Sequence, residues 1–490
     1  MSEWTDRDVR CLMFFCLVVL MVVSFMVHGN DEPPINPYLA DSPWPMSHRN
    51  PYNQASSPLK GIEPNDNVQV SWQSAWPSIT LALSGDPQRV WGSTFKSVYQ
   101  VDLSGGDINK LATQTLSQPE NGISGAYTLV DSEGKFFSPR DLTLSRFSQV
   151  SEGNDPRIVI EDSFTIPQGY LTVADEHIVG MNMTYDGFIA MATSAGLLVV
   201  VSRDFRFHTA LSMGSNQSVS NSIAIDEEGG IYVLTNKQLH RVQWNGTQLV
   251  HLWSTTYESG PDEPLPGRLG TGSGSTPTLM GKQGGDKFVV FTDGSELMNL
   301  VLVWRDVIPD DWEPIAEGKD RRIAAEFPIT FGVEEATRSI SEQSVLVRGY
   351  SAMVVDNQYR LDTSDWFDNP NAGAITVLFS NLGFNAPYGV EKFSWDPVNR
   401  RVVSNWANQE SCPNGIPTMS VASNIAYCWG QRNSKWTLLG FDWDTGETVV
   451  EVPMGYGVRY NSTYAATQIA DEGQMISGTL LGLVRLLPSR

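Results

Sequence analysis

Seven polar residues carry most of the chemistry that this sequence offers: Asn221, Thr276, Asp293, Gln343, Asp356, Asn357 and Asn461. Asn221, Thr276, Gln343 and Asn461 each stand at the start of a short apolar run. Asp293, Asp356 and Asn357 stand just past the end of the run that follows, as does Asn236, and Glu296, Asn299 and Tyr464 are their neighbours. Amides, hydroxyls and carboxylates facing one axis are what recognition of a sugar or a cation requires. The same residues could equally do no more than solvate a water-filled channel and satisfy strand ends. Two unpaired carboxylates in such a ring, Asp293 and Asp356, would repel and raise one pKa unless a cation or basic group intervened. Calcium is the cation to consider there, although no Asp-rich loop of known spacing accompanies the pair. Arg348 is the nearest basic residue in sequence.

Other chemistry is thinner. The histidines are His28, His48, His177, His208, His240 and His251, with no HExxH and no close pair in sequence. His177, with Arg203 and Tyr185, has the residue types of a lyase base and its partners. His48, beside Arg49, is expected at a surface contact, with the channel mouth as the alternative. The run LGTGSGS (269–275) lacks the GK[ST] ending of a phosphate loop and reads as a flexible loop. No GxSxG, no CxxC and no Cys/His cluster of zinc spacing occurs.

The elements that must position these residues are repeats. The stretch SNSIAIDEEGGIYVLTNKQLHRVQWNGTQLVHLWSTTY (220–257) holds four short apolar runs, separated by turns that include Asp226–Gly230 and Asn245-Gly246. Acidic-plus-Gly and Asn-Gly breaks supply the positive φ of tight hairpins. One such unit is a four-stranded antiparallel meander, the size of a propeller blade. Its first hairpin recurs with turn glycines at 134, 187, 230, 285 and 473, spaced by 53, 43, 55 and 188 residues. Weaker copies at 79–95, 344–355 and 417–430 fill the gaps, giving units that begin near 76, 122, 172, 217, 272, 342, 414 and 462.

The last unit has room for three strands, and VQVSWQSA (68–75) would supply the fourth and close the ring. The reading is an all-β, closed β-propeller of eight four-stranded antiparallel blades over 68–490. Seven blades would follow if one irregular unit were an insertion. Residues 304–338, with a charged stretch of helical character around 315–327, and residues 360–372 read as loops grafted on blades. Residues 30–67 are rich in Pro, Asn and Ser and read as an extended segment lying over the body.

Charge and cysteine use bound the compartment and partners. The formal charge is −22, from 55 acidic and 33 basic residues, so a nucleic-acid backbone is excluded as a partner. Residues 11–27 are nearly unbroken apolar, preceded by Arg7 and Arg10, with no Lys or Arg again until Arg49. This is the pattern of an apolar helix outside the fold, as a cleaved signal or an uncleaved anchor, with the rest of the chain outside the cytoplasm. Val27-His28-Gly29 resembles a cleavage site. Cys412 and Cys428 bracket one hairpin; a disulfide is expected there, with two buried thiols as the alternative. The triplets starting at Asn182, Asn216, Asn245 and Asn461 fit the glycosylation pattern, but in a number chance alone supplies.

The segment LLGFDWDTGETVVEV (438–452) resembles the repeat signature A-x-D-x-x-T-G-x-x-x-W of pyrroloquinoline-quinone-type (PQQ-type) propellers, with Val450 where the docking tryptophan would be. Trp72, Trp253 and Trp406 sit near that place in other units. PWPMSHRNPYNQASS (43–57) is similar to the N-terminal segment of many exported members. SNSIAIDEEGGIYVLT, GSGSTPTLMG, TDGSELMNLVLV and YNSTYAATQIADEG resemble a branch of secreted bacterial PQQ-like propeller proteins. The resemblance implies fold and export, not catalysis. Quinoprotein alcohol dehydrogenases carry adjacent cysteines beside the cofactor; this chain has no such pair, so PQQ is not expected. The resulting expectation is a monomeric, exported binding or scaffold module with a polar channel for a small molecule, a carbohydrate or a protein. A polysaccharide lyase or a quinoprotein dehydrogenase is the alternative.

Overall fold

The computed structural model describes residues 32–489, except 87, 121–125, 154, 261–267, 269, 361–377, 414 and 463. The expected N-terminal apolar helix, Cys11 and Cys16 lie outside the described residues, as does the break after Arg360. No helix among the described residues is long and apolar enough to cross a membrane.

The described residues form eight four-stranded antiparallel blades, over residues 81–115, 129–165, 178–212, 224–256, 278–328, 346–408, 418–456 and 467–489. Seven of them are simple meanders, and the fourth shows why. Its strands are Ala224–Ile225, Gly230–Leu234, Gln238–Trp244 and Leu249–Thr256. Gly229 and Gly246, at φ 86° and 89°, make the turns that L side chains resist. The second strand is buried at all five positions, pressed between neighbouring blades, while the outermost strand is largely exposed.

The eighth blade takes its outer strand from the other end of the chain. Asn67–Ser74 runs antiparallel to Gly482–Ser489, from Asn67 opposite Ser489 to Ser74 opposite Gly482. Seven blades are therefore excluded. The charged stretch at 315–327 is not helical. Its second half enters Ile323–Pro328, the outer strand of blade 5, because that blade's third strand Asn299–Trp304 needs a partner. Lys319 offsets the local charge by bridging Glu258 and Glu326 at 2.9 and 2.8 Å.

Residues 36–61 do not lie over the body. They thread the axis of the ring. The backbone N–H groups of Leu83, Val130, Ile225, Leu279, Val347 and Met419 donate to the carbonyls of Trp44, Pro45, Pro51, Tyr52, Gln54 and Ala55. These six donors belong to the inner strands of blades 1, 2, 4, 5, 6 and 7. Blade 3 joins through Asn182, whose Nδ2 donates to the Pro51 carbonyl at 3.0 Å. Ser56–Ser57 then adds a parallel strand inside blade 7. Trp44, Met46, His48 and Ala55 are buried in consequence. To curl around the axis the thread takes a left-handed backbone at Arg49, Asn53 and Ala55. Each costs about 1–2 kcal/mol for an L residue, less for Asn.

Blades also lock to one another as the repeat signature implies. Trp406, on the outer strand of blade 6, lies against Gly446 in the Asp442–Gly446 turn of blade 7 and donates to the Trp443 carbonyl at 3.0 Å. Cys412 and Cys428 form a disulfide at the start of blade 7. Of the triplet asparagines, Asn182 and Asn461 are fully buried, whereas Asn216 and Asn245 are exposed.

Two outcomes follow for stability. Deleting residues 67–74 leaves the edge of Gly482–Ser489 open, and size-exclusion chromatography should show aggregate; a folded monomer from that deletion would mean closure is dispensable. The disulfide spans 16 residues, so the Cys412→Ala, Cys428→Ala double variant should lose about 3 kcal/mol in urea unfolding.

Candidate functional site at the axial channel

The thread makes the two faces of the ring unequal. Where inner strands end, residues 32–42 and the first half of the thread cover the axis. Where inner strands begin, the channel is lined by the residues just before each strand. There His48 reaches up from the thread, its Nε2 3.4 Å from Ser344 Oγ. Its ring centroid lies 5.8 Å from that of Tyr127. Tyr127, which leads into blade 2, meets Thr276 of blade 5 across the axis at 3.3 Å. Thr276 Oγ1 also accepts the Ser222 N–H of blade 4 at 3.3 Å. One polar cluster thus joins blades 2, 4, 5 and 6 to the thread.

Burial sets the charge state of this cluster. It lowers the His48 pKa to about 4, so the imidazole is neutral at pH 7. It raises the Tyr127 phenol. Among the described residues, His48 Nδ1 and both amide atoms of Gln343, the neighbour of Ser344, have no hydrogen-bond partner although they are buried. Orphaned buried groups are costly, so such a site calls for water or a ligand. Ser344 and His48 have the residue types of a nucleophile and base. No acceptor fixes the His48 tautomer, however, so the orienting third group of that device is missing.

The other predicted residues divide between this cluster and their own loops. Asn221, half-buried, donates Nδ2 to the Ser273 carbonyl at 3.4 Å and to Ser220 Oγ at 3.1 Å. Asn461 Nδ2 donates to Ser380 Oγ at 3.3 Å. Asp293 is fully buried and occupied by its own turn: Oδ1 accepts the N–H groups of Ser295 and Asn299, and Oδ2 accepts the Ser295 hydroxyl and the Asn299 amide. Asn357 ties blades together, accepting the Glu342 N–H at 2.7 Å and donating to the Pro413 carbonyl at 2.6 Å. Asn236 accepts the Ser218 N–H.

The expected carboxylate repulsion is not what raises a pKa here. Burial raises Asp293 against its four hydrogen bonds, and burial raises Asp356 to about 7; neither aspartate acts on the other. Arg338, not Arg348, is the basic group that opposes the Asp356 shift. Arg348 sits at the far end of its strand, on Asn424 Oδ1 at 2.8 Å. No three His, Cys, Asp or Glu side chains come together as metal ligands among the described residues.

The lyase set is not assembled. His177 precedes the inner strand Ile178–Met183 of blade 3 and contacts the Asp175 carbonyl. Tyr185 and Arg203 lie at the opposite face, on the Pro34 carbonyl and on Asp131. Six residues of strand separate the two ends by about 20 Å. A close histidine pair does exist, contrary to the spacing in sequence. His240 Nδ1 and His251 Nε2 are 3.1 Å apart across two outer strands of blade 4, with His240 Nε2 3.0 Å from Gln217 Oε1. The strand register creates the pair: Val242 stands opposite His251, so His240, two residues away, is the diagonal neighbour of His251 on the same face. Sequence reasoning also missed Tyr127 and Ser344, and for His48 favoured a surface contact over the channel mouth, where the structure shows it buried beside Ser344. The available signal was the apolar pair Trp44 and Met46, out of place in a solvated segment.

Asp356 gives this region a pH signature. Its carboxyl stays protonated in the fold to about pH 7 but ionises near pH 4 when unfolded. Between those values the folded state binds more protons, so stability falls as pH rises and levels off above about 7. Asp356→Asn should remove that slope. It should be more stable than the parent at pH 8, by up to about 4 kcal/mol, with the difference vanishing near pH 4 in chemical unfolding.

PQQ does not fit this channel. The two described cysteines are buried together in the blade 7 disulfide, not adjacent in sequence, and residues 44–57 occupy the axis. Comparison with known proteins agrees on the fold. No family model matches the chain. The quinohemoprotein alcohol dehydrogenase of Comamonas testosteroni is similar at TM-score 0.53 and 12% identity, over 93% of this chain and 81% of that one. Saccharomyces cerevisiae Sqt1 is similar at TM-score 0.51 and 10% identity, over 87% of this chain and 100% of that one. At such identities the likeness concerns the propeller alone. An uncharacterized protein of Archaeoglobus fulgidus is 42% identical over 468 residues, 93% of this chain and 89% of that protein. That relative is archaeal and does not single out a bacterial branch. The chain belongs to the same family as this Archaeoglobus fulgidus protein, on a β-propeller fold shared with the PQQ-type dehydrogenase.

Proposed function

We propose that the protein is an exported binding module. Its axial channel takes a neutral, hydroxyl-rich ligand of the carbohydrate class from the face where inner strands begin. The observation that carries this reading is Gln343, whose whole amide is buried without a partner beside the Ser344–His48 contact. An amide offers donors and an acceptor together, and so does a neutral imidazole; a sugar hydroxyl needs both. A charged ligand would find no counter-ion in the Gln343, Ser344, His48, Tyr127 and Thr276 group. The thread, bonded to the inner strands, would close the channel at its other end, which favours retention over passage. Export is supported by the apolar run at 11–27 and by the disulfide, which persists in oxidising compartments.

The reading is tested by isothermal titration of neutral mono- and oligosaccharides into the full chain. Gln343→Ala should weaken binding by about tenfold or more while leaving the melting temperature unchanged or higher. Absence of heat across the panel, or binding indifferent to Gln343→Ala, would defeat it. Release of an unsaturated product from uronic-acid polysaccharides would replace it with the lyase reading.

A further inference from the structure

Away from the axis, the outer half of blade 4 brings two imidazoles together. His240 stands on the third strand and His251 on the outermost one, with Nδ1 of the first 3.1 Å from Nε2 of the second. The ring centroids are 5.4 Å apart. His240 is 2% exposed, whereas His251 faces solvent. We propose that this pair is a binding site for a divalent transition metal ion that favours nitrogen ligands, namely Zn²⁺, Cu²⁺ or Ni²⁺. The proposal is independent of the channel reading, since it uses other residues at the rim of the ring.

The tautomer of His240 carries the argument. Gln217 Nε2 donates to the Met213 carbonyl at 3.1 Å and to Gln238 Oε1 at 3.0 Å, which fixes which end of its amide is which. Gln217 Oε1 is therefore an acceptor. It takes the Thr235 hydroxyl and lies 3.0 Å from His240 Nε2. His240 Nε2 must then carry the ring proton, and burial disfavours a second one. Nδ1 is left with a lone pair aimed at His251. Metal-bound histidines are held in the same way, with the far ring N–H donated to an oxygen that sets the tautomer and the ring orientation.

The spacing suits a shared ion. Metal–nitrogen bonds of about 2.0–2.1 Å, meeting at about 90–109°, hold their two nitrogens about 2.8–3.4 Å apart. The observed 3.1 Å falls inside that range. Without a metal the same atoms make a hydrogen bond, in which His251 Nε2–H donates to His240 Nδ1. Exchange between the two states is easy, because the exposed His251 ring can move its proton to its own Nδ1 through solvent. Imidazole nitrogens suit zinc, copper and nickel, whereas magnesium and calcium prefer oxygen ligands. Among the described residues no third His, Cys, Asp or Glu completes a metal group, so water fills the remaining positions on the solvent side of His251. The formal charge of −22 favours the approach of cations. A bound ion would tie the two outer strands of blade 4 together and stabilise that blade.

The test is isothermal titration of the full chain with Zn²⁺, Cu²⁺ and Ni²⁺, with Mg²⁺ as the control. At least one transition ion should bind saturably where Mg²⁺ does not. The electron paramagnetic resonance spectrum of the Cu²⁺-loaded chain should show coupling to two imidazole nitrogens. His240 is buried and its loss could unfold the chain, so the deciding variant is His251→Ala, which alters an exposed side chain. Its circular dichroism should match the parent, and it should bind at least about tenfold more weakly. No binding by any of the three ions, or binding unaltered in a folded His251→Ala, would overturn the proposal and leave the pair as a hydrogen bond.

Discussion

The structure depends on how the inward edges of the inner strands are satisfied. In a closed ring each blade hides its outer surface against neighbours, but its innermost strand still points N–H groups at the axis. Left unpaired in a narrow channel, each buried N–H would cost about 1–3 kcal/mol. Six such N–H groups donate to carbonyls of residues 44–55. Their sum is comparable with the whole stability of a typical domain, about 5–15 kcal/mol. The thread is therefore a structural member of the ring, and its left-handed residues Arg49, Asn53 and Ala55 are the strain that the hydrogen bonds offset.

Thread and closure are one device. The chain leaves blade 7 at Ser57, passes Ile62, whose carbonyl accepts the Tyr427 hydroxyl, and enters the outer strand of blade 8 at Asn67. The first 43 described positions thus meet seven blades from inside and complete the eighth from outside. This gives the molecule its polarity. The covered face carries ion pairs around the thread, while the open face keeps polar groups with unmet hydrogen bonds. Any ligand chemistry is sorted by face before it is sorted by residue.

Much of the ring was legible in the sequence. Acidic-plus-Gly turns such as Asp226–Gly230 force a hairpin whatever surrounds them, so eight unit starts could be placed from local chemistry. The closing strand was legible because a three-strand last unit leaves an edge that needs covering. Contacts made at a distance were not. Trp406 was recognised as a candidate docking residue, but its seat against Gly446 depends on the angle between blades. Arg348 is near Asp356 in sequence and at the other face in space, because one strand lies between them. His240 and His251 meet because Val242 is registered opposite His251, and register between two strands is not announced by sequence spacing. The seven polar residues were placed at one end of the blades by period alone; whether a side chain enters the channel or caps its own turn, as Asp293 does, is decided by two or three neighbouring atoms.

The composition of the thread also has a physical reading that reverses its first impression. A stretch rich in Pro, Asn and Ser looks like a linker that cannot pack. Yet inner strands offer N–H groups to the axis, so the thread must present carbonyls, and its own N–H groups have fewer partners. Proline supplies a carbonyl and no N–H. Pro45 and Pro51 stand where inner strands donate to them. Asparagine and glutamine then return donors where strands offer carbonyls. Asn36 bonds Met183 and Thr184, Asn53 bonds Ile223 and Pro277, and Gln54 bonds Leu279. Large apolar residues enter the core where the thread meets the hydrophobic edges of the blades, among them Leu39, Trp44, Met46 and Tyr52. The residues that would keep a segment unstructured in water are thus the ones that fit it to a channel walled by strand edges.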